Sequence, residues 1–196
     1  MTRRWPLALG LIAGLAAVYL GLSSGADAAD SWGRAARWTA RIGLPIFLLT
    51  YLASSIGRLW PGTVTRTIWR DRRWWGLGFA ACHTVHLYAL VRALEASGEV
   101  RTVPSLIPGG LAYLTIFAMA LTSNDAAMKA LGRNWKRLHR FGIHYVWLVF
   151  TLAYAGRLLK VETRPEAIYG VALCLIALGV RIAAWRRQRR PSLAAA

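Results

Sequence analysis

The chain has 196 residues, 56% of them hydrophobic, with a formal net charge of +17 and a mean hydropathy of +0.38. A water-soluble domain is rarely that apolar. The charge suggests nucleic acid as a partner, but the basic residues fall in short stretches between long apolar runs, which excludes that reading.

Six stretches read as membrane spans, at 5–21, 40–59, 74–94, 106–122, 138–159 and 167–185. Each approaches the ~20 residues that carry a helix across a hydrocarbon core. The expected fold is therefore an all-α, six-helix transmembrane bundle over residues 1–190, followed by a disordered tail at 191–196. The first span follows Arg3 and Arg4 and precedes Ala26-Asp27-Ala28, so it has the outline of a secretory signal. Its long apolar run favours a retained helix, and Gly10 and Gly14 supply a G-x-x-x-G for close helix packing. The second span carries Pro45, which predicts a kink. A basic loop spans 61–73, and Arg72-Arg73-Trp74-Trp75-Gly76 opens the third span. Pro104 and Pro108-Gly109-Gly110 predict a broken chain where the fourth span begins. Asn124 and Asp125 predict the start of a short surface helix that carries Lys129.

The basic residues are unevenly shared. Loops on the side of the N-terminus hold sixteen Lys and Arg, the opposite loops eight, and Arg181 sits within the last span. By the positive-inside rule both termini are cytoplasmic, with the basic face against anionic lipid. Trp5, Trp60, Trp74, Trp75, Trp135 and Trp185 lie near span ends, as interfacial indoles do, whereas Trp147 falls well inside a span. Cys82 and Cys174 lie in different spans without a C-x-x-C, and read as small apolar residues. No G-x-G-x-x-G or G-x-x-x-x-G-K occurs and only short loops remain, so a soluble electron donor has to be another chain.

All four histidines fall in two spans: His83 and His86 in the third, His139 and His144 in the fifth. An ionisable group inside a membrane is a functional-site hypothesis by default. Facing helices that each offer an imidazole can hold a haem iron from both sides.

The run Arg72-Arg73-Trp74-Trp75-Gly76-Leu77 with His86, then Leu121-Thr122-Ser123-Asn124, Leu131-Gly132-Arg133 and Trp135-Lys136-Arg137-Leu138-His139, resembles the ferric reductase-like transmembrane domain family. Within it, the similarity is to the YedZ-type haem-binding membrane subunits of periplasmic methionine sulfoxide reductase systems, and Gly33-Arg34-Ala35 adds to it. The resemblance implies a six-helix bundle carrying haem b. It also implies electron flow across the inner membrane, from a quinol or a cytoplasmic flavin reductase to a periplasmic reductase subunit, with a quinone or FMN as a further cofactor. Family members usually carry a second histidine thirteen residues after the one matching His139; here that position is Leu152.

Helical rise of 1.5 Å per residue, with Arg73 and Arg137 as surface marks, sets His86 ~20 Å deep, His83 ~15 Å, His144 ~10 Å and His139 ~3 Å. His83 with His144 is the nearest match in level, and His86 with His144 the next. His86 occupies a family ligand position; its alternative is a buried neutral imidazole bonded to a carbonyl. His83 could ligate instead, or fill space beside the ring. His144 is either the replacement ligand or a core residue. His139 reads as an interfacial contact to haem propionates or a quinone head group, or as a side chain snorkelling to the surface. Arg133, Lys136, Arg137 and Arg140 are candidate contacts for propionates, quinone or a flavoprotein partner; a lipid-facing basic loop is their alternative. The rival functional reading is a haem-free scaffold or assembly subunit built on the same fold. A transporter is a weaker third, since the carboxylates lie in loops.

Overall fold

A computed structural model describes residues 4–189; the tail at 191–196 lies outside the described residues. The described residues form eight α-helices: α1 (Trp5–Leu22), α2 (Ala28–Leu59), α3 (Thr63–Arg70), α4 (Arg72–Ser97), α5 (Val103–Leu121), α6 (Asp125–Leu131), α7 (Arg133–Arg157) and α8 (Arg164–Arg189). A 3-10 turn, Val161–Thr163, precedes α8.

The helix boundaries follow from local chemistry. Asp27 caps α2 by accepting the Asp30 N–H at 2.8 Å, and Asp30 pairs with Arg34 one turn on at 2.8 Å. These acids at the positive end of the helix dipole start α2 twelve residues before the expected span. At 32 residues it runs ~48 Å, well beyond a ~30 Å hydrocarbon core. Gly98, at φ 64°, closes α4 in the left-handed conformation that glycine adopts freely. Asn124 caps the expected surface helix, α6, by accepting the Ala127 N–H at 2.8 Å. Two expectations do not hold. The basic stretch between the second and third spans contains α3 rather than a continuous loop. The Pro108-Gly109-Gly110 segment does not break α5, which runs from Val103 to Leu121. Pro104 sits in its first turn, where no intrahelical N–H is needed, whereas Pro108 stands inside the helix, which continues past it with one backbone hydrogen bond fewer.

Five helical segments are long and apolar enough to cross a membrane: α1, α2, α4, α5 and the last segment, Val161–Arg189. The 25-residue α7 falls short of that composition, because Arg140, His139 and His144 interrupt its apolar half. It nevertheless packs antiparallel to both α5 and α8. Met119 touches it at Gly142, Trp147 Nε1 donates to the Cys174 carbonyl at 3.0 Å, and Tyr154 covers Gly170.

In lipid there is no hydrophobic gain in bringing helices together, so close packing and hydrogen bonds hold them. The α1–α2–α4 layer shows this. A methyl on Gly10 would sit 2.1 Å from the Gly78 carbonyl oxygen, and one on Gly21 would sit 2.3 Å from Ala35 backbone. Gly10 and Gly14 of the G-x-x-x-G both face α4. The centre is aromatic: Phe47 on α2 meets Phe79 on α4 and Phe150 on α7 at centroid distances of 5.1 and 5.3 Å. Cys82 and Cys174 are free and fully buried. At the opposite end to the basic loops, Arg41 holds Glu166 through two hydrogen bonds of 2.8 and 2.5 Å, tying α2 to α8. At the basic end Arg73 of α4 pairs with Asp125 of α6, and this bond holds the Asp125 carboxyl below the usual carboxylate range.

Candidate functional site

A cavity of about 1070 Å³ opens at the basic end between α2, α4, α5 and α7. Its inner walls are apolar, with Phe47, Phe79, Ile116 and Ile143. Its rim carries Arg58, Arg66, Arg70, Arg72, Arg73, Lys136 and Arg140, and Arg181 reaches it from α8. No carboxylate is among the lining residues. A flat apolar molecule with anionic arms matches those walls and that rim. Of the four cations singled out in the sequence, Lys136 and Arg140 line this cavity; Arg137 lines a neighbouring groove with His144, and Arg133 lines neither.

His139 lines the cavity, stacked on Trp135 at 4.0 Å. Its Nδ1 lies 3.1 Å from the Trp135 carbonyl oxygen. A carbonyl only accepts, so Nδ1 bears a proton. Nε2 lies 3.5 Å from the Ser123 hydroxyl, which donates to the Met119 carbonyl at 2.6 Å, and that carbonyl is also a hydrogen-bond partner of the His139 ring. His139 thus lines the cavity with both ring nitrogens near backbone acceptors.

His86 is oriented similarly from α2. Its Nδ1 lies 2.8 Å from the Thr39 hydroxyl, and Thr39 is fully buried. His83, one turn away, is boxed between Gly43, Phe79 and Phe150; its ring lies 4.4 Å from that of Phe79 and 5.3 Å from that of Phe150. Its Nδ1 is buried without a hydrogen-bond partner among the described residues, as is the Tyr113 hydroxyl. The Tyr113 ring stands 6.2 Å from that of His83 and 6.5 Å from that of His86. An unpaired buried polar group costs about 1–3 kcal/mol, so two together mark a place that a further group would complete.

His144 is committed elsewhere. The Arg181 guanidinium, which only donates, lies 3.5 Å from its Nε2, and its Nδ1 faces the Tyr51 hydroxyl at 3.3 Å. Arg181 also donates to the Tyr51 carbonyl at 2.5 Å and covers the Tyr51 ring at 4.4 Å. The His144 lone pair therefore points at a cation. Arg181 has no role in the sequence reading, although a lone arginine within an apolar span is the available signal.

The histidines do not meet across α4 and α7. Thr39 marks the level of His86 on α2, Gly43 that of His83, and Tyr51 that of His144. Twelve residues of α2 separate the first level from the third, ~18 Å, and eight separate the second from the third, ~12 Å. Axial nitrogens of one iron stand about 4 Å apart. The expected pairs His83–His144 and His86–His144 are thus not brought together. The expectation placed Arg73 and Arg137 at one depth, but the His83–Phe150 contact sets α7 about one turn farther toward the basic end. His86 and His139 are also separate: Tyr113, beside His86, lies well inside α5, whereas Ser123, beside His139, lies two residues past its end at Leu121, about 15 Å farther along. Leu152 is 58% exposed, on the opposite side of α7 from Phe150.

A haem needs an imidazole with a free lone pair, space for a flat ring and cations for two propionates. His139 and the cavity offer an imidazole, the space and the cations. His86 offers the imidazole, beside two unsatisfied polar groups. His86 has His83 of its own helix beside it, at a ring-centroid distance of 5.2 Å, and no second histidine lines the His139 cavity, so the residues fit haem held through single histidines rather than through a pair from facing helices.

No family model and no solved structure matches the chain. Two curated relatives carry the name protein-methionine-sulfoxide reductase heme-binding subunit MsrQ. The one from Salmonella arizonae is 31% identical over 182 residues, 88% of this chain and 87% of the relative. The one from Cronobacter sakazakii is 35% identical over 164 residues, 75% of this chain and 80% of the relative. Identity at that level over most of both chains, on an all-helical scaffold with several membrane-crossing segments, makes this chain a member of the MsrQ family.

Proposed function

We propose that the chain is a haem-binding membrane subunit that passes single electrons across the inner membrane toward a methionine sulfoxide reductase. The family name of its relatives supports this. The observation that carries it is the apolar-walled cavity with a cationic rim, which His139 lines. On this reading α7 is a sixth crossing of a single bundle over 1–190, and both termini are cytoplasmic, as the charge asymmetry favours. The basic cavity then opens to the cytoplasm and His86 lies toward the periplasm.

When bound, haem b would supply one-electron cycling between ferric and ferrous iron. The chain's residues do the rest. His139 and His86 would hold the iron through their imidazoles. Lys136, Arg140 and Arg181 would neutralise anionic arms at the cavity rim, and Phe47 and Phe79 would keep water out of its inner walls. His83, lacking a partner on Nδ1 to orient it, serves as packing beside His86, because ligating imidazoles are normally steered by their second nitrogen. His144 belongs to the Arg181–Tyr51 network. The electron donor is a quinol or a cytoplasmic flavin reductase, whose acidic surface the cationic rim would attract. A quinone or FMN would fit the same aromatic and basic walls. The acceptor is a periplasmic reductase subunit.

The haem-free scaffold remains a second reading, favoured by Phe150 of α7 packing directly against His83 and by the outward Leu152. A reduced-minus-oxidised spectrum of the purified protein, made with ample haem, separates the two. Haem bands support electron transfer, and well-folded protein without them supports the scaffold.

A further inference from the structure

Thr39 has three polar neighbours and one proton. Its hydroxyl lies 2.8 Å from the Ala35 carbonyl oxygen, 3.0 Å from that of Ala36 and 2.8 Å from His86 Nδ1. Both carbonyls can only accept. If the hydroxyl proton pointed at His86, the Thr39 oxygen would face two carbonyl oxygens at contact distance with no proton between them. The proton therefore goes to the helix backbone, and the nitrogen facing Thr39 must bring its own.

We propose that Thr39 is a positioning residue that locks His86 as the Nδ1–H tautomer and holds its Nε2 lone pair free as an axial ligand to haem iron. The second half rests on the reading of His86 as a ligand. Thr39 is well suited to this task. Its β-branched side chain is stiff, it is fully buried, and its back-bond to α2 fixes the hydroxyl direction. Outer partners of this kind orient a ligating imidazole and raise its basicity, and their loss weakens metal binding about 10–100-fold. A more basic imidazole favours ferric iron, so losing the Thr39 contact raises the midpoint potential.

The test uses the full-length protein in two states. In haem-free protein carrying ¹⁵N-labelled imidazoles, nitrogen shifts report the tautomer of His86, assigned with His86→Gln. Wild type and Thr39→Ser are expected to show Nδ1–H. Thr39→Val is expected to show a mixture shifted toward Nε2–H. A wild-type Nε2–H signal, or a Thr39→Val spectrum identical to wild type, would overturn the lock whatever binds at the site. In haem-loaded protein, Thr39→Val is expected to raise the potential of one haem by the equivalent of about a tenfold change in relative affinity, 59 mV for one electron, with Thr39→Ser restoring it. An unchanged potential with an altered tautomer would overturn His86 as a ligand and leave the lock standing. Thr39→Ser keeps the hydroxyl and Thr39→Val keeps the shape, so the pair separates these effects from misfolding.

Discussion

Gly43 and His83 offer a sharp probe of how the histidine helix is seated. A methyl on Gly43 would lie 2.6 Å from His83 Cε1 and 2.9 Å from Nδ1, where ordinary contact begins near 3.4 Å. The ring would have to retreat by about 0.8 Å against Phe79 and Phe150, which close its other sides. Overpacking of that kind costs ~1–3 kcal/mol. In a His83→Ala background the obstacle is gone, and Gly43→Ala in a helix interior should stabilise by roughly 1 kcal/mol. The sign of the Gly43→Ala effect thus reverses between backgrounds, with a coupling of about 3 kcal/mol. Unfolding of the four proteins in one detergent, followed by tryptophan fluorescence, measures it. Equal Gly43→Ala effects in both backgrounds would refute the placement of His83 against α2.

Other consequences follow from single contacts. Leu152→His installs the residue type that the family resemblance implies at that position. Because the side chain faces outward, the haem spectrum should not change; a new bis-histidine signal would contradict the described face of α7. Gly10→Ala should destabilise by ~1–3 kcal/mol through the Gly78 backbone. Gly179→Ala, with nothing within 4 Å, should be neutral or mildly stabilising in the same assay. The Asp125 carboxyl is held low by Arg73, so its share of α6 docking is complete above its unfolded value near ~3.9 and is lost as pH falls through the lowered folded value. Asp125→Asn should abolish that acid limb, as read by protease access to α6.

The helices were legible in the sequence because apolar length and capping residues act locally. Asn124 and Asp125 announced α6, and the small residues at 10 and 14 announced a close crossing. The early start of α2 was less visible, since Asp27 and Asp30 act against an otherwise polar stretch. The site was half legible. Imidazoles inside apolar spans flagged the right two helices, but relative depth depends on how α7 docks, and one turn of offset dissolves the expected pairs. The Thr39 and Arg181 contacts were beyond reach, because each joins residues 37 or more positions apart in sequence through side-chain direction alone.

The most direct test is haem stoichiometry, by pyridine haemochrome, on folded His139→Ala, His86→Ala and His144→Ala proteins beside wild type. The account predicts that His139→Ala loses the haem of the basic cavity, that His86→Ala loses haem at the other position, and that His144→Ala keeps the wild-type content. Retention of full haem by both His139→Ala and His86→Ala, or its loss only in His144→Ala, would contradict it.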